Sequence, residues 1–204
     1  MHPIGKLIRT RKISGTFLDY FDRKFYPRLK QRKDTFRKIF EFLESKNKEF
    51  YTIVETGCAR IKKNWKGDGL STILFDQFVS FYEGQVFSVD INPSHCALAT
   101  QWVSKKTKVV CQDSVQFLWN LELDREIDLV YLDSFDLEAS NPHPSALHHL
   151  KEFCAIIDKL KKGTLIVVDD HINEEIGKGK YIEDFMKSIG HERVINGYQI
   201  GWIL

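Results

Sequence analysis

Four carboxylates stand where apolar runs stop, and their placement suggests the chemistry this chain could carry. Asp90 follows Gln85-Val86-Phe87-Ser88-Val89, Asp133 follows Ile127-Asp128-Leu129-Val130-Tyr131-Leu132, and Asp169-Asp170 follows Thr164-Leu165-Ile166-Val167-Val168. If these runs are parallel strands, neighbouring tips face one crevice, and Asp133, Asp169 and Asp170 meet there. Three bare carboxylates about 4 Å apart repel by roughly 4 kcal/mol per pair at an effective dielectric near 20. Protonation, lysine or arginine partners, or a divalent cation must offset that repulsion. An all-oxygen donor set suits Mg²⁺, Mn²⁺ or Ca²⁺ and not zinc. Asp90 suggests a different task, since an acidic residue at the tip of a second parallel strand can accept both hydroxyls of a ribose. Each such charge-assisted bond contributes about 1.5 to 3 kcal/mol.

These side chains need a scaffold, and the chain spells one out. Tyr51-Thr52-Ile53-Val54 reads as a first strand that breaks at Glu55-Thr56-Gly57-Cys58-Ala59-Arg60, with a helix opening near Gly69-Leu70-Ser71-Thr72 and running to about Tyr82. A small-residue turn leading into a helix lets backbone N–H groups approach a ligand. The dinucleotide pattern G-x-G-x-x-G is poorly met, because Gly57 is followed by Cys58, Ala59 and Arg60. The loop through Trp65 and Lys66 is long enough to be functional, with a contact to cofactor or substrate as one reading and a plain surface loop as the other. Lys108-Val109-Val110-Cys111-Gln112 is a third strand, ending at Asp113-Ser114, which is also the sequence of a helix N-cap. An amphipathic helix spans Ser145 to Lys162, with Leu147, Leu150, Phe153, Cys154, Ile157 and Leu160 on one face. A last helix, Lys180 to Ile189, precedes a hairpin in which Arg193-Val194-Ile195 and Tyr198 to Ile203 flank Asn196-Gly197.

Two N-terminal helices, parted near Tyr26-Pro27, precede the first strand; the second runs from about Asp34 to Ser45, and the first is the candidate cap over the site. Residues 1–46 hold 13 Lys or Arg against 5 Asp or Glu. That asymmetry suggests an anionic membrane surface, phosphorylated glycan or nucleic acid as partner, or else a solvated helical lid whose aromatics pack on the domain. The expected division is a basic helical extension or cap over 1–46 and one domain over 47–204. No apolar run reaches the length of about 20 needed to span a bilayer, and Met1-His2-Pro3-Ile4-Gly5-Lys6 lacks a signal-peptide pattern; the expected location is the cytoplasm. Cys58, Cys96, Cys111 and Cys154 show no C-x-x-C pair and read as reduced, small hydrophobes. His148 and His149 read as helix-start residues, one exposed and one half-buried, and Gly177-Lys178-Gly179-Lys180 reads as a flexible loop or a clamp for an acidic substrate.

Glu55-x-Gly57 resembles motif I of the class I S-adenosylmethionine (SAM) methyltransferases, and the order of elements over roughly residues 50 to 204 fits it. The resemblance implies a Rossmann-like α/β fold, a doubly wound, mostly parallel sheet with a C-terminal antiparallel hairpin and N-terminal helices. It implies SAM as cofactor, held by Glu55, Gly57, Ser71, Asp90, Asp113 and Ser114, with Asp113 on the adenine amino group. Leu132-Asp133 and the Asp169-Asp170 pair look like the metal site of catechol O-methyltransferase and of the macrocin-type sugar O-methyltransferases, which implies Mg²⁺ on Asp133, Asp169 and Asp170. Two positions depart from those families: Asp136 stands where the catechol enzymes place a lysine base, and Phe135 where the sugar enzymes place an aspartate. The base is therefore open among Asp136, His171 and His143, with Asp133, Asp136 and His171 as the catalytic set. The expected function is metal-dependent O-methylation of a hydroxylated small molecule or sugar. The alternatives are a metal-independent methyltransferase of nucleic acid or protein, and a non-catalytic nucleotide- or membrane-binding module. A homodimer is a further expectation that no sequence pattern decides.

Overall fold

Six strands make one sheet in the order β3-β2-β1-β4-β5-β6 in this computed structural model, which describes residues 15–204. They are β1 (Tyr51–Thr56), β2 (Gly84–Asp90), β3 (Thr107–Cys111), β4 (Leu129–Leu132), β5 (Leu165–Val168) and β6 (Ile200–Ile203). All neighbours are parallel except β5 and β6, which run antiparallel. The chain winds outward from β1 through β2 to β3, then returns to the other side of β1 at β4. The reversal between β1 and β4 is where open α/β sheets bind ligands, at the carboxyl ends of the strands. Register levels the tips there, with Thr56 opposite both Val89 and Leu132, and Leu132 opposite Val168.

Side chains alternate along each strand, and both faces are covered. Ile53, Leu129, Tyr131 and Val167 pack against α1 (Phe17–Lys24), α2 (Lys33–Ser45) and α3 (Ser71–Phe81). Val54, Val130, Leu132, Ile166 and Val168 pack against α5 (Ser114–Asn120), α6 (His143–Ile156) and α7 (Lys180–Ser188). Helix α4 (Pro93–Trp102) buries Cys96 and Ala99 against Cys58 and Val109. The doubly wound, mostly parallel sheet expected from the sequence is thus present.

Several local expectations are corrected. Helix α1 is no lid: Phe17 and Phe21 are fully buried, and the Phe17 ring meets Phe40 at 4.8 Å and Phe78 at 5.2 Å. Its aromatics recur every four residues because they serve the core, so of the reading as a lid packed on the domain only the packing holds. The basic residues of the segment are partly neutralised within the fold, Arg37 by Asp22 and Glu41, and Lys46 by Asp128. Residues before Gly15, where the segment begins, lie outside the described part. The closing hairpin keeps only one full strand. Val194, Ile195 and Gly201 exchange backbone hydrogen bonds as an isolated bridge, while β6 takes its full pairing from β5.

Helix α6 ends at Ile156 in a 3₁₀ turn, Ile157–Lys159, and buries Ala146, His149, Glu152 and Phe153 while Leu147 and Cys154 face solvent. His148 and His149 therefore lie within the helix, half-buried and fully buried, not at its start. Cys58 and Cys96 are buried, Cys111 and Cys154 exposed, and all four are free. Among the described residues no helix is long and apolar enough to cross a membrane.

Candidate active site

The tip of β1 is held against the tip of β4 by a glycine. Gly57 has φ +80°, and a Cβ there would stand 2.4 Å from the Asp133 carbonyl oxygen. The turn after it runs beneath the start of α3, where the Ala59 N–H donates to Thr72 Oγ1 and the buried Ser71 lines the floor of a polar cleft of about 620 Å³. Asp90, Asp133, Asp170, Arg32 and Tyr198 also line that cleft. On its other side Asp90 borders a second, apolar-sided cleft of about 700 Å³ formed by Ile91, Phe135, Asp113, Ser114 and His148. Asp90 and Ser134 belong to both.

Asp90 is fixed by the backbone around it. Its carboxylate accepts from the N–H of Asn92 at 2.7 Å and of Cys58 at 3.3 Å, and His95 Nδ1 lies 3.5 Å away. Asp113 caps α5 by accepting from the Gln116 N–H, as the N-cap reading expects, and it also borders the second cleft. Ser114 Oγ contacts His148 Nε2 at 3.1 Å, and His148 in turn reaches buried Glu152, which also accepts from Thr56 and Ser134. Burial works against the Glu152 charge, but the hydrogen bonds of His148, Ser114 and Ser134 outweigh it and hold its carboxyl below the usual value. Burial likewise pushes the His149 imidazole down to about 4, so it is neutral at pH 7.

Glu55 is placed differently from the expectation. It lies under the cleft, fully buried, with Ser88 donating to Oε2 and no partner on Oε1. Burial lifts its carboxyl to about 7 from 4.5, against the opposing effect of Ser71, Ser88 and Thr72. The folded chain therefore binds a proton between those values that the unfolded chain has lost. This contribution to stability is complete below about pH 4.5 and disappears as pH rises through about 7. At ~1.4 kcal/mol per unit the decline amounts to about 3 kcal/mol. Urea denaturation at several pH values should show that Glu55→Gln removes this part of the slope; an unchanged slope would refute the assignment.

The three strand-tip carboxylates do meet. One oxygen from each of Asp133, Asp169 and Asp170 lies within 4.8 Å of the others. Successive residues of an extended strand point to opposite faces, and Asp169-Asp170 avoids that because Asp170 adopts φ +52°. A left-handed conformation at a non-glycine residue costs on the order of 1–3 kcal/mol, and it turns the second carboxylate toward the same partners as the first.

Those partners are two cations that sequence reasoning did not place. Arg32, at the end of a 3₁₀ turn (Lys30–Arg32) before α2, donates from Nε to Asp169 at 2.8 Å, from Nη2 to Asp170 at 2.8 Å and from Nη1 to the Gly67 carbonyl. Its guanidinium lies 4.6 Å from the centre of the Tyr198 ring. Lys178, only 1% exposed, sets its ammonium 2.5 Å from Asp133 and 2.9 Å from Asp170. Burial opposes the Lys178 charge, but Asp133, Asp170 and Asp169 outweigh it and hold the ammonium protonated. The segment around it is anything but loose: the Lys178 N–H bonds the Asp170 carbonyl, and a Cβ on Gly179 would meet Ile200 at 2.7 Å.

Three carboxylates face two cations, so the cluster is no more negative than −1, the charge it has with all three ionised. Burial, reinforced by Asp169 and Asp170 against Lys178, holds the Asp133 carboxyl well above the ordinary carboxylate range. Burial also raises Asp169 despite Arg32, whereas Lys178 and Arg32 overcome burial at Asp170 and hold it low. Of the two cluster carboxylates that line the cleft, Asp133 is thus held up and Asp170 held down.

The other candidate bases stay outside. Asp136 is exposed and paired with Arg60, whose hydrogen bond lowers its pKa. His171 turns toward Glu174, and His143 is an exposed residue against the Tyr181 hydroxyl. Trp65 packs on Phe25 and beneath Arg28, and Lys66 borders an outer groove.

A divalent cation would have to share this cluster with Lys178. The oxygen donors are of the right kind, but the ammonium already bridges Asp133 and Asp170, two of the three carboxylates an ion would need. With Lys178 in place the residues do not fit Mg²⁺, Mn²⁺ or Ca²⁺.

The six-stranded arrangement, with its binding clefts at the β1/β4 reversal, is the class I methyltransferase fold. No family model and no curated protein matches the chain. Among solved structures it resembles the O-methyltransferase NovP, at 16% identity over 80% of this chain and 75% of that one, with a TM-score of 0.52. It also resembles the N-methyltransferase NodS from Bradyrhizobium japonicum WM9, at 11% identity over 89% and 98% of the two chains and a TM-score of 0.50. A match to the MycE methyltransferase of the mycinamycin biosynthetic pathway has 19% identity, a TM-score of 0.44 and 64% of this chain; the chain spans 29% of that protein's length.

Proposed function

We propose that the chain is a SAM-dependent methyltransferase that methylates a hydroxyl oxygen of a small molecule or sugar. The observation that carries this reading is the position of Asp90, shared by two adjoining clefts of opposite character. A carboxylate there suits the two hydroxyls of a ribose. The slot bordered by Ile91 and Phe135 suits a flat base, with Asp113 and Ser114 at its edge, and the polar cleft on the other side suits the methionine portion and the acceptor. The net −1 of the strand-tip cluster favours a cationic sulfonium beside it.

When bound, SAM supplies a methyl group on a positively charged sulfur. The protein's share is alignment and proton removal. An acceptor hydroxyl in the cleft gives its proton to Asp133, which lines the cleft and has a high proton affinity. Arg32 and Lys178 hold Asp170 and Asp133 in fixed positions, and alignment of oxygen, methyl and sulfur supplies much of the rate. Metal dependence is left out of the proposal because Lys178 occupies the cation position. A nucleic-acid acceptor gains no support from Arg32, Arg37 or Lys46, whose charges are spent on internal ion pairs.

Calorimetric titration with SAM tests the reading. Asp90→Ala should weaken binding by roughly 10- to 150-fold, the equivalent of one charge-assisted hydrogen bond. Undiminished affinity in that variant, or no heat with the native chain, would sink it.

A further inference from the structure

We propose that Lys178 takes the place of a divalent cation among Asp133, Asp169 and Asp170, so that the cleft works with an ammonium group built into the fold. Three observations carry this. The ammonium bridges carboxylates from two strand tips, Asp133 after β4 and Asp170 after β5, which is the service a bridging ion would perform. The third carboxylate, Asp169, is already taken by Arg32, so each of the three has an organic cation against it. The lysine has no free route out either: it is 1% exposed, its own N–H is tied to the Asp170 carbonyl, and the next residue is packed on Ile200.

Charge makes the two occupants mutually exclusive. With Arg32 and Lys178 present the cluster is no more negative than −1, and an added divalent ion would bring it to +1 or above in a buried place next to the proposed sulfonium. Only removal of the ammonium restores a net charge that a divalent ion can neutralise. Lys178 acts through Asp133 and Asp170, which makes it a positioning residue. Its consequence for catalysis rests on the methyltransferase reading above, but its effect on cation binding does not, so the two proposals fail separately.

The test is titration of the EDTA-treated full chain with Mn²⁺ alone, followed by electron paramagnetic resonance of the free ion. The native chain should take up no Mn²⁺ at the cluster. Lys178→Ala should gain one site, at least tenfold tighter than anything in the native chain, and Asp170→Asn in that background should abolish it. Lys178→Arg should keep the ion out. Should the alanine variant fail to fold, Lys178→Met keeps the apolar stem and removes only the charge. One equivalent of Mn²⁺ on the native chain, lost in Asp170→Asn, overturns the proposal; so does a folded, uncharged variant at position 178 that gains no site.

Discussion

Arg32→Ala is expected to lower the unfolding free energy by about 3–5 kcal/mol, the range for removing one partner of a buried ion pair. Asp169 is fully buried, and its carboxylate oxygens receive hydrogen bonds from the Arg32 Nε. Without the guanidinium the carboxylate must be protonated or expose itself, and Asp170 and the Gly67 carbonyl each lose a donor as well. Arg32→Lys should recover little, because a single ammonium cannot reproduce a planar fork that reaches three acceptors. The pH dependence gives the defect a signature. Burial already raises the Asp169 carboxyl despite Arg32, and removal of the cation raises it further. The variant therefore keeps its stability where Asp169 is protonated and loses it as pH rises, so the gap to the native chain should be smallest near pH ~4 and widest at neutrality. Pairing the change with Asp169→Asn should restore part of the loss. Urea denaturation measures all of these, and a uniform small effect across pH would mean that the ion pair is not what Arg32 contributes.

Gly57→Ala should be nearly as damaging, for a steric reason. A left-handed residue with a side chain costs about 1–3 kcal/mol, and a Cβ 2.4 Å from the Asp133 carbonyl forces apart the tips of β1 and β4. Overpacking of that kind costs a further 1–3 kcal/mol or so. The chain contains its own control. Gly163 has φ +90°, and a Cβ added there would meet nothing within 4 Å, so Gly163→Ala should show the conformational cost alone. A thermal-melt comparison of the two variants separates backbone strain from collision. The Gly57 variant should also bind SAM more weakly, since Gly57, Cys58 and Asp133 line the same cleft. Equal losses for both glycines would show that the contact with Asp133 does not matter.

The sheet was readable because its strands are covered on both faces and so appear as apolar runs that end in polar residues. Val130-Tyr131-Leu132 and Ile166-Val167-Val168 lie fully buried, and the carboxylates that follow them fall at the tips as expected. The hairpin signal at Asn196-Gly197 marked the chain reversal, but the bridge closes at Ile195 and Gly201 rather than around two residues, and β6 takes its main partner from β5. Helical spacing in Phe17, Phe21 and Phe25 showed an apolar stripe without showing whether it faces the core or a ligand. Pairing of cations with the acidic cluster was among the solutions that electrostatics allowed. Nothing local selected Lys178, which sits between two glycines with no periodic pattern, and nothing local selected Arg32, one of many basic residues in its segment. The resemblance to metal-dependent enzymes favoured an ion, whereas tertiary packing supplied side chains.

The bond between Arg32 and Asp169 joins positions 137 residues apart. A ribosome that has made α1 and α2 has also made Arg32, but its carboxylate acceptors, Asp169 and Asp170, arrive only behind β5, after most of the sheet has been synthesised. Until then only the Gly67 carbonyl is there to receive the guanidinium, and the 3₁₀ turn that carries it lacks its ionic anchor. Closure of so long a loop carries an entropic cost that grows slowly with length, and contacts of this sequence separation slow folding. The cleft is consequently among the last parts of the molecule to take shape, and a chain caught before β5 docks presents the aromatic faces of α1 and α2 without the ion pairs that later lock them down.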